Sequence, residues 1–376
     1  MKKIYNKFIK ALLKLITFIE KSKTKFFELK GIKRKKKFYS SVKWSKEQQF
    51  QFDNYWKNNY GKKISNKWHK LYQSANGIFN IEYTPEIIFS TEIEQSFNDY
   101  YQVKVFADKN LNDVLFSNAV ENVRTPKTYL YNSFGRYYDG ERNLITKERA
   151  VEILDSLSSA VIKPTIDSSS GRDVNILDMQ SGVNKKTGEK AEQIIDRYRA
   201  NFIVQEKILP NEELKTIYHN SINTLRVITY LLNGNVYTCP ISLRLGGNGS
   251  EVDNIHAGGI SIAVGDDGVL ADCAYRLGYG DTFDKFCEHP DTKVKFGGYR
   301  LSFVNSIIEA AKKLHNYTNG VGLISWDFTV NDKNEIIVIE ANYKGQSSWF
   351  PQMLSGKALF GDNTSKILKS LKRKNK

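Results

Sequence analysis

Lysine and large apolar residues alternate along the first 21 residues of the chain with the spacing of an amphipathic helix. Both classes recur at three- and four-residue steps, on opposite sides of the predicted helix. The lysines are Lys3, Lys7, Lys10, Lys14 and Lys21, and the apolar residues are Ile4, Phe8, Leu12, Leu15 and Ile19. Because Lys10 and Lys14 interrupt the apolar run, we predict neither a membrane-spanning helix nor a cleavable signal peptide here.

Further along the chain the apolar pattern becomes a mixture of helical and β-rich runs. Residues 45–100 are predicted to form helices and connectors rich in tryptophan and tyrosine, and β-rich runs follow from about residue 100. We predict helices over Thr146–Ser158, with Thr146 as N-cap, and Leu301–Leu314, a strand over Ala160–Lys163, and the strand pairs Ile222–Leu232 with Val236–Leu243 and Leu323–Val330 with Glu335–Ala341. Antiparallel hairpins without regular strand–helix alternation predict an α+β fold rather than a doubly wound or barrel fold.

The formal net charge of +15 lies almost wholly at the two ends of the chain. Residues 1–38 carry fourteen Lys/Arg and two acidic residues, residues 361–376 carry six and one, and the body between them has a net charge of −2. A nucleic-acid interface would need a basic stripe on the folded part. We therefore expect no nucleic-acid partner, and we interpret the C-terminal run as a solvated, frayed end.

Two interpretations of residues 1–38 remain open. An amphipathic helix of this charge can lie on an anionic membrane surface, where the basic run at residues 33–37 would add attraction of about 1 kcal/mol per charge. The other interpretation is a helix packed on the body, with its lysines in solvent.

The three cysteines, Cys239, Cys273 and Cys287, include no CxxC pair. Their odd number and spacing argue against a disulfide scaffold and against a thiolate zinc site. We predict unpaired cysteines and a cytoplasmic protein.

Asp327 and the pair Glu340 and Asn342 are the most distinctive polar residues of the predicted strands. Glu340 and Asn342 share one face of a strand because side chains two positions apart point the same way. A register that pairs Asp327 with Glu340 would bring all three groups together, and carboxylate and amide oxygens suit Mg²⁺. The alternative is three polar residues at strand ends.

Two further segments carry groups suited to phosphate or another anion. Lys163 ends an apolar strand and precedes a loop of small residues that contains Ser169 and Ser170, which could cradle phosphate or could be an ordinary turn. Arg226 and Arg244 lie on neighbouring strands before a glycine-rich segment, where they could bind an anionic substrate or form structural ion pairs. His256 is the histidine nearest to these glycines in the sequence.

An ordered set of short motifs over about residues 80–355 resembles the ATP-grasp superfamily, and specifically its sugar-transfer-associated branch. The motifs are Asp108-Lys109, Thr125-Pro126, Val161-Ile162-Lys163-Pro164, Gln205-Glu206, Asn223-Thr224-Leu225-Arg226, Val252-Asp253-Asn254, Gly258-Gly259, Trp326-Asp327 and Ile339-Glu340-Ala341-Asn342 with Gln346. Each motif alone is weakly specific. The ordered set, which ends with Asp327 and then Glu340-Ala341-Asn342, is much more specific.

The resemblance implies an ATP-grasp fold in which two α+β lobes clamp ATP, preceded by a helical N-terminal region. The domains would be a basic segment 1–38, a helical region 39–100, an ATP-grasp domain 101–360 and a basic tail 361–376, with the nucleotide lobe at about 145–210 and the catalytic lobe at about 211–360.

The resemblance also assigns roles to individual residues. Nucleotide would contact Lys109, Lys163, Ser169, Ser170 and a hinge of Gln205, Glu206 and Lys207; Mg²⁺ would bind Asp327, Glu340 and Asn342; Arg226 and Arg244 would be catalytic.

By the same resemblance, the activity would be that of an ATP- and Mg²⁺-dependent carboxylate–amine ligase that acts through an acyl phosphate. The branch name suggests surface polysaccharide biosynthesis, with a small-molecule or lipid-linked sugar acid and an amine as substrates. The alternatives are an ATP-dependent phosphotransferase of the same fold and a non-catalytic nucleotide-binding module at the membrane. The protein would be cytoplasmic, and peripheral at the inner face of the membrane if residues 1–38 bind lipid.

Overall fold

The chain forms two compact units, which are described separately. The computed structural model describes residues 2–99, 101–117, 119–166, 173–254, 258–277 and 283–374. Unit 1 consists of Met1–Asp99 and Lys344–Lys376, and unit 2 consists of Tyr100–Tyr343.

The helices and strands are numbered along the chain. The helices are α1 Lys2–Arg34, α2 Lys36–Ser41, α3 Lys46–Asn59, α4 Lys67–Asn76, α5 Glu86–Ile88, α6 Glu94–Phe97, α7 Val103–Phe106, α8 Asn112–Phe116, α9 Lys147–Ser156, α10 Ala191–Tyr198, α11 Glu212–Ile217, α12 Val304–His315, α13 Trp349–Ser355 and α14 Thr364–Lys374. The strands are β1 Val123–Arg124, β2 Thr128–Ser133, β3 Arg136–Asp139, β4 Leu144–Ile145, β5 Ser159–Pro164, β6 Asn175–Gln180, β7 Val183–Asn184, β8 Phe202–Gln205, β9 Thr224–Leu232, β10 Asn235–Thr238, β11 Ile241–Leu245, β12 Ile260–Val264, β13 Ala274–Leu277, β14 Phe283–Phe286, β15 Leu323–Val330 and β16 Ile336–Asn342.

Unit 1 is helical, which confirms the helices predicted over residues 45–100. Ser45 begins α3 with a capping box, in which its side chain accepts from the backbone N–H of Gln48 and the Gln48 side chain accepts in return. The fully buried Phe52 and Trp56 of α3 form part of an aromatic core. A long helix over the N-terminal basic segment is confirmed as α1. Within the described ranges, no helix is both long and apolar enough to cross a bilayer.

The first lobe of unit 2 is a seven-stranded sheet in the order β4-β3-β2-β8-β5-β6-β7, with α9 and α10 packed on one face. Ile162 and Val204 point to these helices and are fully buried. The predicted N-cap of α9 is confirmed, since the Thr146 side chain accepts from the backbone N–H of Arg149. Lys163 follows Ile162 in β5 and therefore points to the opposite face of the sheet.

The second lobe is a nine-stranded sheet in the order β1-β16-β15-β9-β11-β12-β13-β14, with β10 paired to β9. One face carries an apolar core that includes Leu225, Trp326 and Phe328 and packs against α12. The predicted strand 236–243 is divided in two, because Cys239 and Pro240 separate β10 from β11. Two mixed lobes of sheet and helix confirm the α+β class.

The expectation that all three cysteines are unpaired is wrong for two of them. Cys273 and Cys287 form a disulfide, while Cys239 is buried and free. The register of the β13–β14 hairpin pairs Ala274 with Phe286, which places the two flanking cysteines opposite each other. This pairing depends on a strand register that cysteine count and spacing do not reveal.

Candidate active site

The antiparallel register of β15 and β16 brings the candidate metal ligands together. Asp327 lies opposite Glu340, and Ser325 lies opposite Asn342, so Asp327, Glu340 and Asn342 project from one face of the sheet. The predicted pairing of Asp327 with Glu340 is confirmed. The register shifts by one residue directly after Asp327, and pairing resumes with Phe328 opposite Val338. This polar face lies opposite the apolar core of Trp326 and Phe328.

Two arginines from neighbouring strands converge on Asp327. Arg226 is its direct cross-strand partner on β9 and donates from Nη2 to Oδ2 over 3.0 Å, with a second bond from Nε to Oδ1. Arg244 of β11 places Nη2 2.9 Å from the same Oδ2. Burial would raise the pKa of Asp327, but the two guanidinium groups outweigh burial and hold that pKa below its usual range. Asp327 is therefore a fully charged carboxylate at neutral pH.

Arg244 is also held by a second acidic group. Its Nε lies 3.8 Å from Oδ2 of Asp253, which accepts from the backbone N–H of Thr224 over 3.0 Å. Burial opposes the charge of Arg244, but Asp327, Asp253 and Glu340 outweigh burial and raise its pKa. Both arginines are thus fixed cations on the polar face of the sheet.

Two lysines complete the charged cluster. Nζ of Lys109 lies 3.2 Å from Oε1 of Glu340. Lys163, which reaches the cluster from the other sheet, is only 9% exposed, and this burial lowers its pKa to about 8 despite the attraction of Glu340 and Asp327. The structure therefore gathers Lys109, Lys163, Arg226, Arg244, Asp327 and Glu340 into one cluster.

The predicted hinge residues make contacts of their own. Gln205 is buried and donates from Nε2 to Oγ1 of Thr128 over 3.2 Å. Glu206 forms an ion pair with Arg124, and Lys207 is exposed. Within the described ranges, no hydrogen bond or ion pair joins these three hinge residues to the candidate metal ligands.

Arg124 is the interacting residue that sequence reasoning missed. Besides its contact with Glu206, its Nε donates to Oε2 of Glu335 over 3.0 Å. These partners are 82 and 211 residues away along the chain, so no local pattern indicates the contacts. Arg124 ties the end of β8 to the turn between β15 and β16.

Three sequence-predicted positions lie outside the described residues. They are Ser169 and Ser170, in the loop after Lys163, and His256.

The oxygen donors at the end of β16 fit a hard divalent cation. Asp327 and Glu340 supply carboxylate oxygens, while the Asn342 amide donates from Nδ2 to the backbone oxygen of Ser325 over 3.3 Å. The Oδ1 atom of Asn342 accepts no hydrogen bond from any described residue. The candidate metal ligands are therefore two carboxylates and one amide oxygen. No group of three or more His, Cys, Asp or Glu side chains in the described part of the chain is placed to hold a metal ion. Any metal here would therefore rely on Asn342 and on water or phosphate.

Several solved structures resemble the chain at low sequence identity. The VanG D-Ala:D-Ser ligase from Enterococcus faecalis matches with 15% identity and a TM-score of 0.42, over 73% of this chain and 63% of that one. The L-amino acid ligase from Bacillus licheniformis matches with 12% identity and a TM-score of 0.40, over 71% of this chain and 49% of that one. D-alanyl-alanine synthetase A from Vibrio cholerae matches with 15% identity and a TM-score of 0.38, over 74% and 64%. The chain thus spans less than two thirds of the length of each of these proteins.

Comparisons of the sequence with curated proteins and with protein-family models test the family resemblance directly. No curated protein matches the chain by sequence. The model of the sugar-transfer associated ATP-grasp family, however, matches residues 88–367, which is well over half of the chain and includes every residue of the charged cluster. The predicted resemblance is confirmed, and the chain belongs to the sugar-transfer-associated ATP-grasp family.

Proposed function

We propose that unit 2 is an ATP- and Mg²⁺-dependent ligase that joins a carboxylate to an amine through an acyl phosphate. The observation that carries this proposal is the cluster in which four cationic side chains surround Asp327 and Glu340. Preorganised cations of this kind stabilise charge that moves between phosphate and carboxylate oxygens. Family membership supports ATP as the source of the phosphoryl group.

Each cation of the cluster has a distinct proposed task. Lys109 and the buried Lys163 bind nucleotide phosphates, while Arg226 and Arg244 face the transferred phosphoryl group or the reacting carboxylate. Asp327, Glu340 and Asn342 would hold Mg²⁺, which supplies positive charge at the phosphate oxygens. Gln205, Glu206 and Lys207 are proposed to face adenine and ribose at the end of β8, and Ser169 and Ser170 to line the phosphates.

The proposed reaction has two steps. A carboxylate oxygen of the substrate attacks the terminal phosphorus of ATP, and ADP leaves. The amine nitrogen then attacks the acyl carbon, so that the C–N bond forms as inorganic phosphate leaves and the nitrogen gives up a proton. Neither step requires a nucleophilic side chain, because the cluster needs only to position the substrates and to balance charge.

The family description and the charge of the N-terminal segment support a proposal for the substrates and the location. Because the family is associated with sugar transfer, we propose a sugar acid, free or lipid-linked, as the carboxylate and an amino acid or other amine as the nucleophile, in surface polysaccharide synthesis. A lipid-linked acceptor would lie in the membrane. The +12 charge of residues 1–38 would keep a cytoplasmic enzyme at the inner membrane face.

Product analysis with an oxygen isotope tests the chemistry. The full chain is incubated with ATP, Mg²⁺, an amino acid and a panel of sugar acids that carry ¹⁸O in the carboxylate. A ligase releases ADP and inorganic phosphate, and one labelled oxygen moves into that phosphate. A phosphotransferase releases ADP and retains the phosphate on its product, whereas a non-catalytic module releases neither. Either of the last two results would overturn the proposal.

A further inference from the structure

The N-terminal helix α1 is attached to the rest of unit 1 by its polar side. Its partly or fully buried positions recur every three or four residues, at Lys21, Thr24, Glu28 and Ile32, and continue to Lys35 in the turn that follows. Nζ of Lys21 lies 3.8 Å from Oε1 of Glu92, and Nζ of Lys35 lies 5.3 Å from the centre of the Trp349 ring. Ile32 is 5% exposed. A stripe that is mostly polar thus faces the protein.

The apolar side of the same helix points away from the protein. Phe18 and Phe27 are each 67% exposed, Phe26 is 63% exposed and Leu15 is 53% exposed. A soluble monomer rarely leaves this many large apolar side chains of one helix in water, because they gain free energy from any surface that covers them. The arrangement is the reverse of a helix that buries its apolar face against its own domain.

Exposed cations lie among these apolar side chains. Lys23, Lys30 and Lys33 are exposed and stand three or four positions from Phe26, Phe27 or Leu29, on the same side of the helix. Residues 1–38 as a whole carry a net charge of +12. Lysines beside aromatic and aliphatic groups suit an interface in which the apolar groups enter a hydrocarbon layer and the ammonium groups meet anionic head groups.

We propose that this outward face of α1, defined by Leu15, Phe18, Ile19, Phe26, Phe27 and Leu29, is a binding surface for an anionic lipid bilayer. The helix would lie in the plane of the interface, with unit 1 attached to its other side. A second copy of the chain is a poorer occupant, because the two copies would bring like charges of +12 together. The inference identifies the surface that contacts lipid and does not depend on the chemistry proposed for unit 2.

Vesicle flotation with the full chain tests the proposal. Phosphatidylcholine vesicles with about one third phosphatidylglycerol should carry the parent protein, and pure phosphatidylcholine vesicles should carry much less. The variant Phe26→Ser/Phe27→Ser should lose about tenfold or more in binding, since two large apolar groups no longer enter the bilayer. Its melting temperature should equal that of the parent because both side chains are exposed.

Matched variants separate this surface from general effects. Phe50→Ser removes a phenylalanine on α3 that is 61% exposed, and it should leave flotation unchanged. Ile32→Ser should lower the melting temperature, while the protein that remains folded should still float. Lys23→Gln/Lys30→Gln/Lys33→Gln should weaken binding to the anionic vesicles and reduce its dependence on salt.

Two results would overturn the proposal. One is undiminished flotation of Phe26→Ser/Phe27→Ser. The other is a parent protein that is dimeric by light scattering and becomes monomeric in that variant, which would make the face an interface between two copies.

Discussion

Lys109 and Glu340 form an ion pair, with 3.2 Å between Nζ and Oε1, that joins a proposed phosphate-binding lysine to a proposed metal ligand. A divalent cation bound to Glu340 would repel the ammonium group of Lys109, since both are positive and share one carboxylate. The arrival of metal and nucleotide would therefore favour an exchange in which Lys109 leaves Glu340 for phosphate. This relationship makes metal binding and nucleotide binding energetically linked.

This exchange predicts that Lys109→Gln has opposite effects on the binding of ATP and on the binding of a divalent metal ion. ATP affinity should fall because a phosphate contact is lost, whereas Mn²⁺ affinity without nucleotide should rise several-fold because no ammonium group competes for Glu340. Titration calorimetry with each ligand alone measures both. Lys185→Gln, at an exposed lysine, should change neither. Weaker Mn²⁺ binding by Lys109→Gln would contradict the exchange.

The two carboxylates should differ in their effect on stability although both are proposed metal ligands. Asp327→Asn and Glu340→Gln should each abolish turnover by removing a hard anionic ligand. Asp327→Asn should also destabilise the fold by about 3 kcal/mol, because Arg226 and Arg244 lose their shared buried partner. Glu340, whose side chain is 30% exposed, should tolerate the change to Gln.

Activity assays and chemical denaturation of the two variants test this difference. Equal stability in both would show that the arginines do not depend on Asp327. Full activity in either variant would remove that residue from the metal site.

Local features of the site could be predicted from the sequence because they depend on short-range rules. Strand alternation places Glu340 and Asn342 on one face of β16, as predicted. The pairing of Asp327 with Glu340 also depends on the register shift after Asp327, which strand alternation and turn length do not indicate. The N-cap at Thr146 follows from a side chain that reaches only three residues ahead.

Contacts between distant strands could not be predicted in the same way. The contact of Arg226 with Asp327 joins residues 101 apart and exists because β9 lies beside β15. The Cys273–Cys287 bond likewise depends on the register of β13 and β14. The side of α1 that meets the protein could not be inferred either, because its amphipathic pattern is compatible with both interpretations of residues 1–38.

The buried Lys163 should make nucleotide binding depend on pH in the mildly alkaline range. Burial lowers its pKa to about 8, so the charge that we propose to bind phosphate is present at pH 7 and is progressively lost as the pH rises through 8. ATP affinity without metal should therefore fall between pH 7 and 9, and binding near pH 8 should take up a proton. Calorimetry in two buffers with different ionisation enthalpies measures this uptake.

Lys163→Met is the matched variant for this prediction, because it retains the apolar stem and removes the charge. It should bind ATP more weakly than the parent at pH 7, and its affinity should vary less with pH. An equal decline with pH in both proteins would assign the titration to another group.

Two buried glutamates should make the stability of unit 1 depend on pH. Glu86 accepts from the backbone N–H groups of Ser348 and Trp349 over 2.8 and 3.0 Å, and Glu94 accepts from that of Gln346 over 2.8 Å. Burial raises the pKa of Glu86 to about 8 and that of Glu94 to about 7, from an ordinary value of 4.5. The folded state therefore holds these protons more tightly than the unfolded state does. The stability that they contribute is fully present below about pH 4.5 and is lost as the pH rises through 7 to 8.

Chemical denaturation between pH 5 and 8 measures this loss, which should amount to a few kcal/mol across the range. Glu86→Gln has no proton to lose, so its free energy of unfolding should decline less steeply with pH than that of the parent, although its amide oxygen can still accept from Ser348. Glu47→Gln on α3, where the carboxylate is exposed, should follow the parent at every pH. If Glu86→Gln and the parent declined in parallel, the dependence would belong to groups other than Glu86. A parent whose stability increased from pH 5 to 8 would show that the hydrogen bonds from Ser348 and Trp349 outweigh burial and keep Glu86 ionised.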